Sequence, residues 1–196
     1  MVRRYLSDYC EGLKGALDAV PLEPFEEFVR LLEHAFHEER QVLIMGNGGS
    51  GSTASHFACD INKGVSFGLE KRFRVICLND NVATLMAYAN DVSYEQVFVE
   101  PLKNFLRAAD LVIGISASGN SPNVLRAIEL ANSRGAHTIG LSGFDGGKLG
   151  GLARTSLVVP VNDMQKAEDV HFILLHVVMQ ILCERLRAPL PEQVRE

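Results

Sequence analysis

The chain has 196 residues, and its 19 Lys and Arg against 24 Asp and Glu give a formal net charge of −5. Hydrophobic residues make up 47% and charged residues 22%, which suffices to fill one substantial core and excludes wholesale disorder. Sites that bind nucleic acid or a membrane surface carry a basic patch, so the mild acidity gives no reason to expect either partner.

The cysteines and the apolar runs bear on where the protein works. Its 4 cysteines have no C-x-x-C pair or other paired spacing, which is typical of reduced thiols in a cytoplasmic protein. The longest uncharged apolar stretch covers residues 170–183, whereas a membrane span needs about 20 predominantly apolar residues. We therefore expect a soluble cytoplasmic protein.

Two amphipathic helices are predicted at the start of the chain. Apolar residues recur at three- and four-residue steps between Val2 and Val20, and again between Phe25 and Phe36. Pro24 suits the first turn of the second helix because its φ is fixed.

From residue 41 the pattern changes to short apolar runs separated by helix-length segments. Such runs, without strict alternation, suit strands that are buried on both faces of a parallel sheet. The predicted strands cover residues 42–45, 74–78, 111–115, 137–141 and 156–161, and helical patterns cover about residues 52–63, 82–107, 122–135 and 164–187. The alternation predicts an α/β fold with five parallel strands, in an order that the sequence does not reveal. The last helix is apolar nearly all round, so we expect another subunit to bury part of it.

Two loops follow predicted strands and precede predicted helices, at the sheet edge where α/β proteins bind ligands. The glycine loop covers residues 46–52, and the serine loop covers residues 116–121. Small residues and free N–H groups at a helix start let an anion approach, and the loops add hydroxyls from Ser50, Ser116, Ser118 and Ser121. The alternative is a pair of ordinary tight turns. The glycine loop also matches G-x-G-x-x-G, but the nearest acidic residue at the end of a predicted strand, Asp80, lies too far along the chain for a dinucleotide site, so we expect no nucleotide.

Histidines and acids on two predicted helices are candidates for a metal site. His56 and Asp60 are four residues apart and share a helix face, which makes either a half-site for a divalent metal or a surface ion pair. His176 lies in an apolar run, so it is either a functional residue or a histidine buried in the core with a hydrogen-bond partner. Glu168 precedes it by about 12 Å of helix, so spacing alone does not make the two a chelate.

The glycine loop, the SHFA segment after it and the sequence ISASGNSPNV resemble the sugar isomerase (SIS) domain, and most closely its phosphoheptose isomerase branch. The resemblance covers about residues 40–186. It implies a three-layer sandwich with a flavodoxin-like parallel sheet in the middle. It also implies a cytoplasmic homotetramer with active sites between subunits. On this basis residues 1–40 are a helical extension of the same domain and part of the oligomer interface, and residues 41–196 are the SIS domain.

The resemblance also assigns roles to residues. It implies that substrate is bound by the loops, by Asp60, by Glu168 and by a pair at a helix end, namely Asn47, Gly48, Gly49, Ser50, Asn90, Asp91, Ser116, Ala117, Ser118 and Ser121. Zinc-bearing members hold one metal with four residues, which correspond here to His56, Asp60, Glu168 and His176. Asp60 stands where the family has Glu, and Glu168 stands where it has Gln.

The function expected from this resemblance is the conversion of sedoheptulose 7-phosphate to D-glycero-D-manno-heptose 7-phosphate through an enediol, for surface polysaccharide. Asp60 would be the carbon base and His176 the acid and base on oxygen, but metal ligation weakens Asp60 as a base, so Glu168 is the alternative. Two other functions stay open. One is a non-catalytic sugar-phosphate-binding regulator that recruits a protein partner, and the other is an isomerase of another phosphosugar.

Overall fold

The computed structural model describes residues 1–186. The helices are α1 (Val2–Asp18), α2 (Leu22–His37), α3 (Gly48–Cys59), α4 (Val82–Asp91), α5 (Val99–Phe105), α6 (Pro122–Ser133), α7 (Gly147–Leu152) and α8 (Met164–Leu186). The strands are β1 (Gln41–Gly46), β2 (Arg74–Cys77), β3 (Leu111–Ile115), β4 (His137–Gly143) and β5 (Thr155–Val159). A π-helical segment (Asp60–Val65) continues α3, and a 3-10 turn (Tyr94–Gln96) follows α4.

All five strands are parallel and lie in the order β2-β1-β3-β4-β5. Every residue of β1 and β3 is buried, because apolar side chains project from both faces of these central strands. The α/β prediction with five parallel strands is therefore confirmed, and the order is that of a flavodoxin-like sheet.

Helices cover both faces of the sheet and complete the three layers. One apolar cluster joins the sheet to α2, α3 and α8, and includes Phe28, Phe57 and Leu175. The other joins the opposite face to α5, α6 and α7, and includes Leu102 and Ile128. Because α3 and α8 share a layer and each follows a parallel strand, the two helices run side by side in the same direction.

The main differences between the predicted and the observed elements lie at the start of α2, within residues 82–107 and at α7. Helix α2 begins two residues before Pro24, with the extended residue Pro21 as its N-cap. The predicted helix over 82–107 is interrupted by the 3-10 turn, and α7 was missed because its sequence is rich in glycine. Residues 187–196, including the predicted end of the last helix and of the SIS domain, lie outside the described residues. No helix within residues 1–186 is long and apolar enough to cross a membrane.

Candidate active site

The glycine loop and the serine loop lie side by side, because they follow the neighbouring strands β1 and β3. The side chains of Asn47 and Asn123 bind each other twice, with Nδ2 to Oδ1 distances of 2.8 and 2.9 Å. Tyr94 Oη also donates to Asn47 Oδ1 at 3.0 Å. The amide of Asn47 therefore joins the glycine loop to the start of α6, and much of its hydrogen-bonding capacity is used inside the protein.

The serine loop curls at the carboxyl end of β3. Ser116 Oγ donates to Ser121 Oγ at 3.0 Å, and Ser118 Oγ accepts from the Asn120 backbone N–H at 3.2 Å. Ser121 is the N-cap residue of α6, but its side chain makes no capping hydrogen bond. The turn needs Gly119, whose φ is +65° and where a Cβ would lie 2.1 Å from the Gly146 carbonyl oxygen. The hydroxyls therefore border a turn at the N-terminus of α6, where free N–H groups can attract an anion.

A cleft of about 580 Å³ opens beside the serine loop. Its lining residues come from the serine loop, from the turn after β4 and from the chain that leads into α8, namely Ser118, Asn120, Phe144, Asp145, Pro160, Asn162 and Met164. A phosphorylated sugar that bound the serine loop would have room to extend here.

His56, Asp60 and His176 form a tight cluster, which we call the triad. The two imidazoles meet with 3.0 Å between their Nε2 atoms, and Asp60 Oδ2 lies 3.3 Å from His56 Nε2 and 3.6 Å from His176 Nε2. Their ligand atoms all lie within 4.8 Å of one another. Local structure explains the approach: His56 and Asp60 are one helical turn apart, and Phe172 packs on both imidazole rings, with centroids 4.7 and 4.4 Å away.

The donor chemistry of the triad suits a divalent metal. Two imidazoles and one carboxylate are a common ligand set for catalytic zinc, in which further coordination positions are left for water or substrate. The side chains are partly open to solvent, at 46% for His56, 21% for Asp60 and 42% for His176, so substrate can reach them. Asp60 also opens the π-helical segment, an irregularity that is frequent at functional sites.

Glu168, the fourth predicted ligand, is not a member of this cluster. Its carboxylate lies over the glycine loop, where a Cβ added to Gly49 would be 2.6 Å from Oε2 and 2.9 Å from Oε1. Gly48 and Ser50 of the glycine loop were also predicted to bind substrate. Gly48 has a φ of +53°, and Ser50 is buried at 4% exposure.

Asn90 and Asp91 lie exposed at the end of α4. Asn90 Nδ2 donates to Asp91 Oδ1 at 2.8 Å. No hydrogen bond or ion pair within residues 1–186 joins this pair to the two loops. Ala117, predicted to bind phosphate, is buried at 4% exposure, and its carbonyl oxygen accepts from the Gly143 backbone N–H at 2.8 Å.

Three residues that hold the loops in place were missed by sequence reasoning. Asn123 and Tyr94 fix Asn47, and Asn79 binds the end of β1 twice, donating to the Gly46 carbonyl oxygen (2.7 Å) and accepting from its N–H (3.2 Å). The available signal was their position: Asn123 comes two residues after the serine loop, and Asn79 comes just after a predicted strand.

Comparison with known proteins identifies the family. The SIS domain family matches residues 8–143. The phosphoheptose isomerase of Helicobacter pylori strain P12 is 36% identical over 185 residues, which cover 94% of this chain and 93% of the relative. The chain belongs to the phosphoheptose isomerases of the SIS domain family.

Other phosphoheptose isomerases agree in sequence and in structure. That of Pelobacter propionicus is 37% identical over 88% of this chain and 90% of its own. The structure of the Neisseria gonorrhoeae protein superposes with a TM-score of 0.83 at 29% identity, over 93% of this chain and 98% of that one. The structure of the Francisella tularensis protein superposes with a TM-score of 0.85 at 26% identity, over 94% of this chain and 97% of that one. The sugar isomerase domain of a Sphaerobacter thermophilus RpiR transcription factor, at 21% identity and 0.64, shares the fold alone.

Proposed function

We propose that the protein is an aldose–ketose isomerase that converts sedoheptulose 7-phosphate to D-glycero-D-manno-heptose 7-phosphate through an enediol, in heptose supply for surface polysaccharide. The observation that supports this most directly is the triad, because two imidazoles and a carboxylate gathered around one point are chemistry that a module for binding alone does not need. The relatives are named phosphoheptose isomerases, which supports a phosphorylated heptose as the substrate.

The serine loop is proposed to hold the phosphate. Its hydroxyls and the first N–H groups of α6 offer donors to an anion, and the positive end of the helix dipole adds to the attraction. Ala117 has no hydroxyl to contribute, so Ser116, Ser118 and Ser121 carry this role. Gly48 and Gly49, with Asn47 and Ser50 beside them, are proposed to line the sugar.

The triad is proposed to hold a divalent metal, with zinc as the expected ion. When bound, the metal supplies Lewis-acid polarisation of the substrate carbonyl. The chain's own groups then move protons: an imidazole, proposed as His176, serves the oxygen atoms, and a carboxylate serves carbon. The proposed carboxylate is either Asp60, inside the triad, or Glu168, above the glycine loop.

A homo-oligomer, proposed as a tetramer, would cover apolar surface that the single chain leaves open. Tyr5 and Leu6 on α1 are 70% and 64% exposed, and Met86 on α4 is 67% exposed. Exposed apolar surface of this kind marks interaction sites. We keep the division into a helical extension (1–40), which takes part in this interface, and an SIS domain from residue 41, and we propose a cytoplasmic location.

The site itself is proposed to be shared between subunits. Gly49 and His56 on α3 are seven residues apart, and Glu168 and His176 on α8 are eight apart, so the glycine loop and the triad lie about 10–12 Å from each other along the helices. We propose that in the oligomer a neighbouring chain's triad lies closer to the loops than this. Co-expression of Ser118→Asp with His176→Asn tests this, because mixed oligomers regain activity only when loops and triad from different chains meet.

The decisive experiment is incubation of the zinc-loaded protein with sedoheptulose 7-phosphate while aldose formation is followed by nuclear magnetic resonance. Turnover that depends on metal content supports the proposal. Binding without turnover would point to a sugar-phosphate-binding regulator, and turnover of a different phosphosugar alone would change the substrate.

A further inference from the structure

Two carboxylates belong to the proposed shared site, Glu168 beside the glycine loop of one chain and Asp60 in the triad that a neighbouring chain would bring to it, and their surroundings within the chain differ. Asp60 Oδ2 is within 3.6 Å of both triad imidazoles, so this oxygen is in the position of a metal ligand. A carboxylate that shares its electron pairs with a cation is a weak acceptor for a proton from carbon, because the metal stabilises the charged form. Asp60 is therefore poorly suited to carbon acid chemistry.

Glu168 has the opposite surroundings. It is half-buried, and its side chain makes no hydrogen bond and no ion pair within residues 1–186. Its carboxylate lies against Gly49, where only the missing Cβ leaves room for it, since that atom would come within 2.6 Å of Oε2. An unpartnered carboxylate beside a ligand loop keeps its lone pairs for the ligand.

The same turn of α8 also lies near the serine loop. A Cβ added to Gly143 would lie 2.6 Å from Ala167 Cβ and 3.0 Å from the Ala117 carbonyl oxygen, so Gly143 lies between the residue before Glu168 and the serine loop. The carboxylate of Glu168 therefore lies over the glycine loop, while its neighbour lies near the serine loop, across Gly143. We expect a sugar anchored by its phosphate on the serine loop to extend toward the neighbouring glycine loop, where this carboxylate lies.

We propose that Glu168 is the catalytic base that carries the proton between C1 and C2, and that Asp60 acts as a ligand of the triad. This rests on the proposed function. Glu168 removes the proton from C1 of the ketose, the C1–H electron pair forms the C1=C2 double bond, and O2 takes up a proton to give the enediol. Glu168 then returns its proton to C2 while O1 loses its proton and becomes the aldehyde oxygen.

The test compares Glu168→Gln with Glu184→Gln in the metal-loaded enzyme. Glu184 is exposed on the same helix, so it is a matched control. We expect the turnover of E168Q to fall by about 100-fold or more, the range for a missing general base. The exchange of deuterium from solvent into C1 should be lost as well. Metal content and the Kd for sedoheptulose 7-phosphate should stay within twofold of wild type, and E184Q should behave as wild type.

Two further variants separate a base from a structural role. Glu168→Asp keeps a carboxylate but withdraws it by one methylene, so kcat should fall to an intermediate value while KM is unchanged. Asp60→Asn should lose metal, measured by elemental analysis. The proposal is overturned if E168Q keeps its turnover and its deuterium exchange. It is also overturned if D60N keeps its metal and loses deuterium exchange while E168Q retains it. In either case the wild type still isomerises the sugar, whereas a wild type without turnover would overturn the proposed function as well.

Discussion

His171 makes the free energy of unfolding depend on pH. It is 1% exposed on α8, and its Nε2 lies 3.0 Å from the Ser142 carbonyl oxygen, so Nε2–H donates this bond. Its Nδ1 has no hydrogen-bond partner within residues 1–186. Burial lowers the pKa of His171 from 6.5 to about 4, and the bond to Ser142 only partly opposes this.

The sign and the size follow from linkage. Because the pKa is lower in the folded state, the unfolded chain binds more protons between about pH 4 and 6.5, and stability is lost as the pH falls through this window. With the ordinary pKa in the unfolded chain, lowering the pH from about 7.5 to 5 should remove about 2 kcal/mol. Above about pH 7 the contribution of His171 is complete.

The assay is urea unfolding at these two pH values, at one protein concentration, for wild type and His171→Gln. Gln retains an N–H that can reach the Ser142 carbonyl oxygen, but it does not titrate. The pH-dependent loss should be about 2 kcal/mol smaller in the variant. His37→Gln removes an exposed histidine and should keep the wild-type dependence. Equal pH dependence in wild type and His171→Gln would refute the reasoning.

Three further substitutions test the loops and the assembly. Gly119→Ala should cost about 3 kcal/mol or more by thermal unfolding, because φ is +65° and the new Cβ would meet the Gly146 backbone at 2.1 Å. Asn123→Ala leaves Asn47 without two hydrogen bonds, so it should cost about 2 kcal/mol and raise KM for the sugar phosphate. Leu6→Lys puts a charge on the exposed apolar face of α1 and should reduce the oligomer's mass in light scattering without unfolding the chain.

The sheet was predictable because its strands are buried on both faces. A run such as residues 111–115 has no polar member, and that pattern differs from the stripes of the helices. The order of the strands could not be predicted from such runs, because an apolar strand can pair with any other apolar strand. Only the family resemblance implied the order. Bounds shifted where local geometry outweighed propensity, as at α7, whose glycines weaken any helical signal.

The site was predictable to the extent that its residues share one helix. The spacing of His56 and Asp60 put them on one face, and the structure adds His176 from α8. Contacts between distant parts of the chain gave no such signal. The pairing of Asn47 with Asn123 spans 76 positions, and neither residue carries a charge or a metal-binding group that would suggest a partner.

The two acids are best understood together, through their charges. Two neutral imidazoles and the Asp60 carboxylate would leave a divalent cation with one uncompensated positive charge, which favours an anionic oxygen nearby. With a metal bound, that charge would be available to stabilise negative charge on the substrate oxygen. A second carboxylate bound directly to the cation would cancel the charge and weaken this effect. Placed over Gly49 instead, Glu168 leaves the cation's charge for the substrate and remains free to accept the proton from carbon.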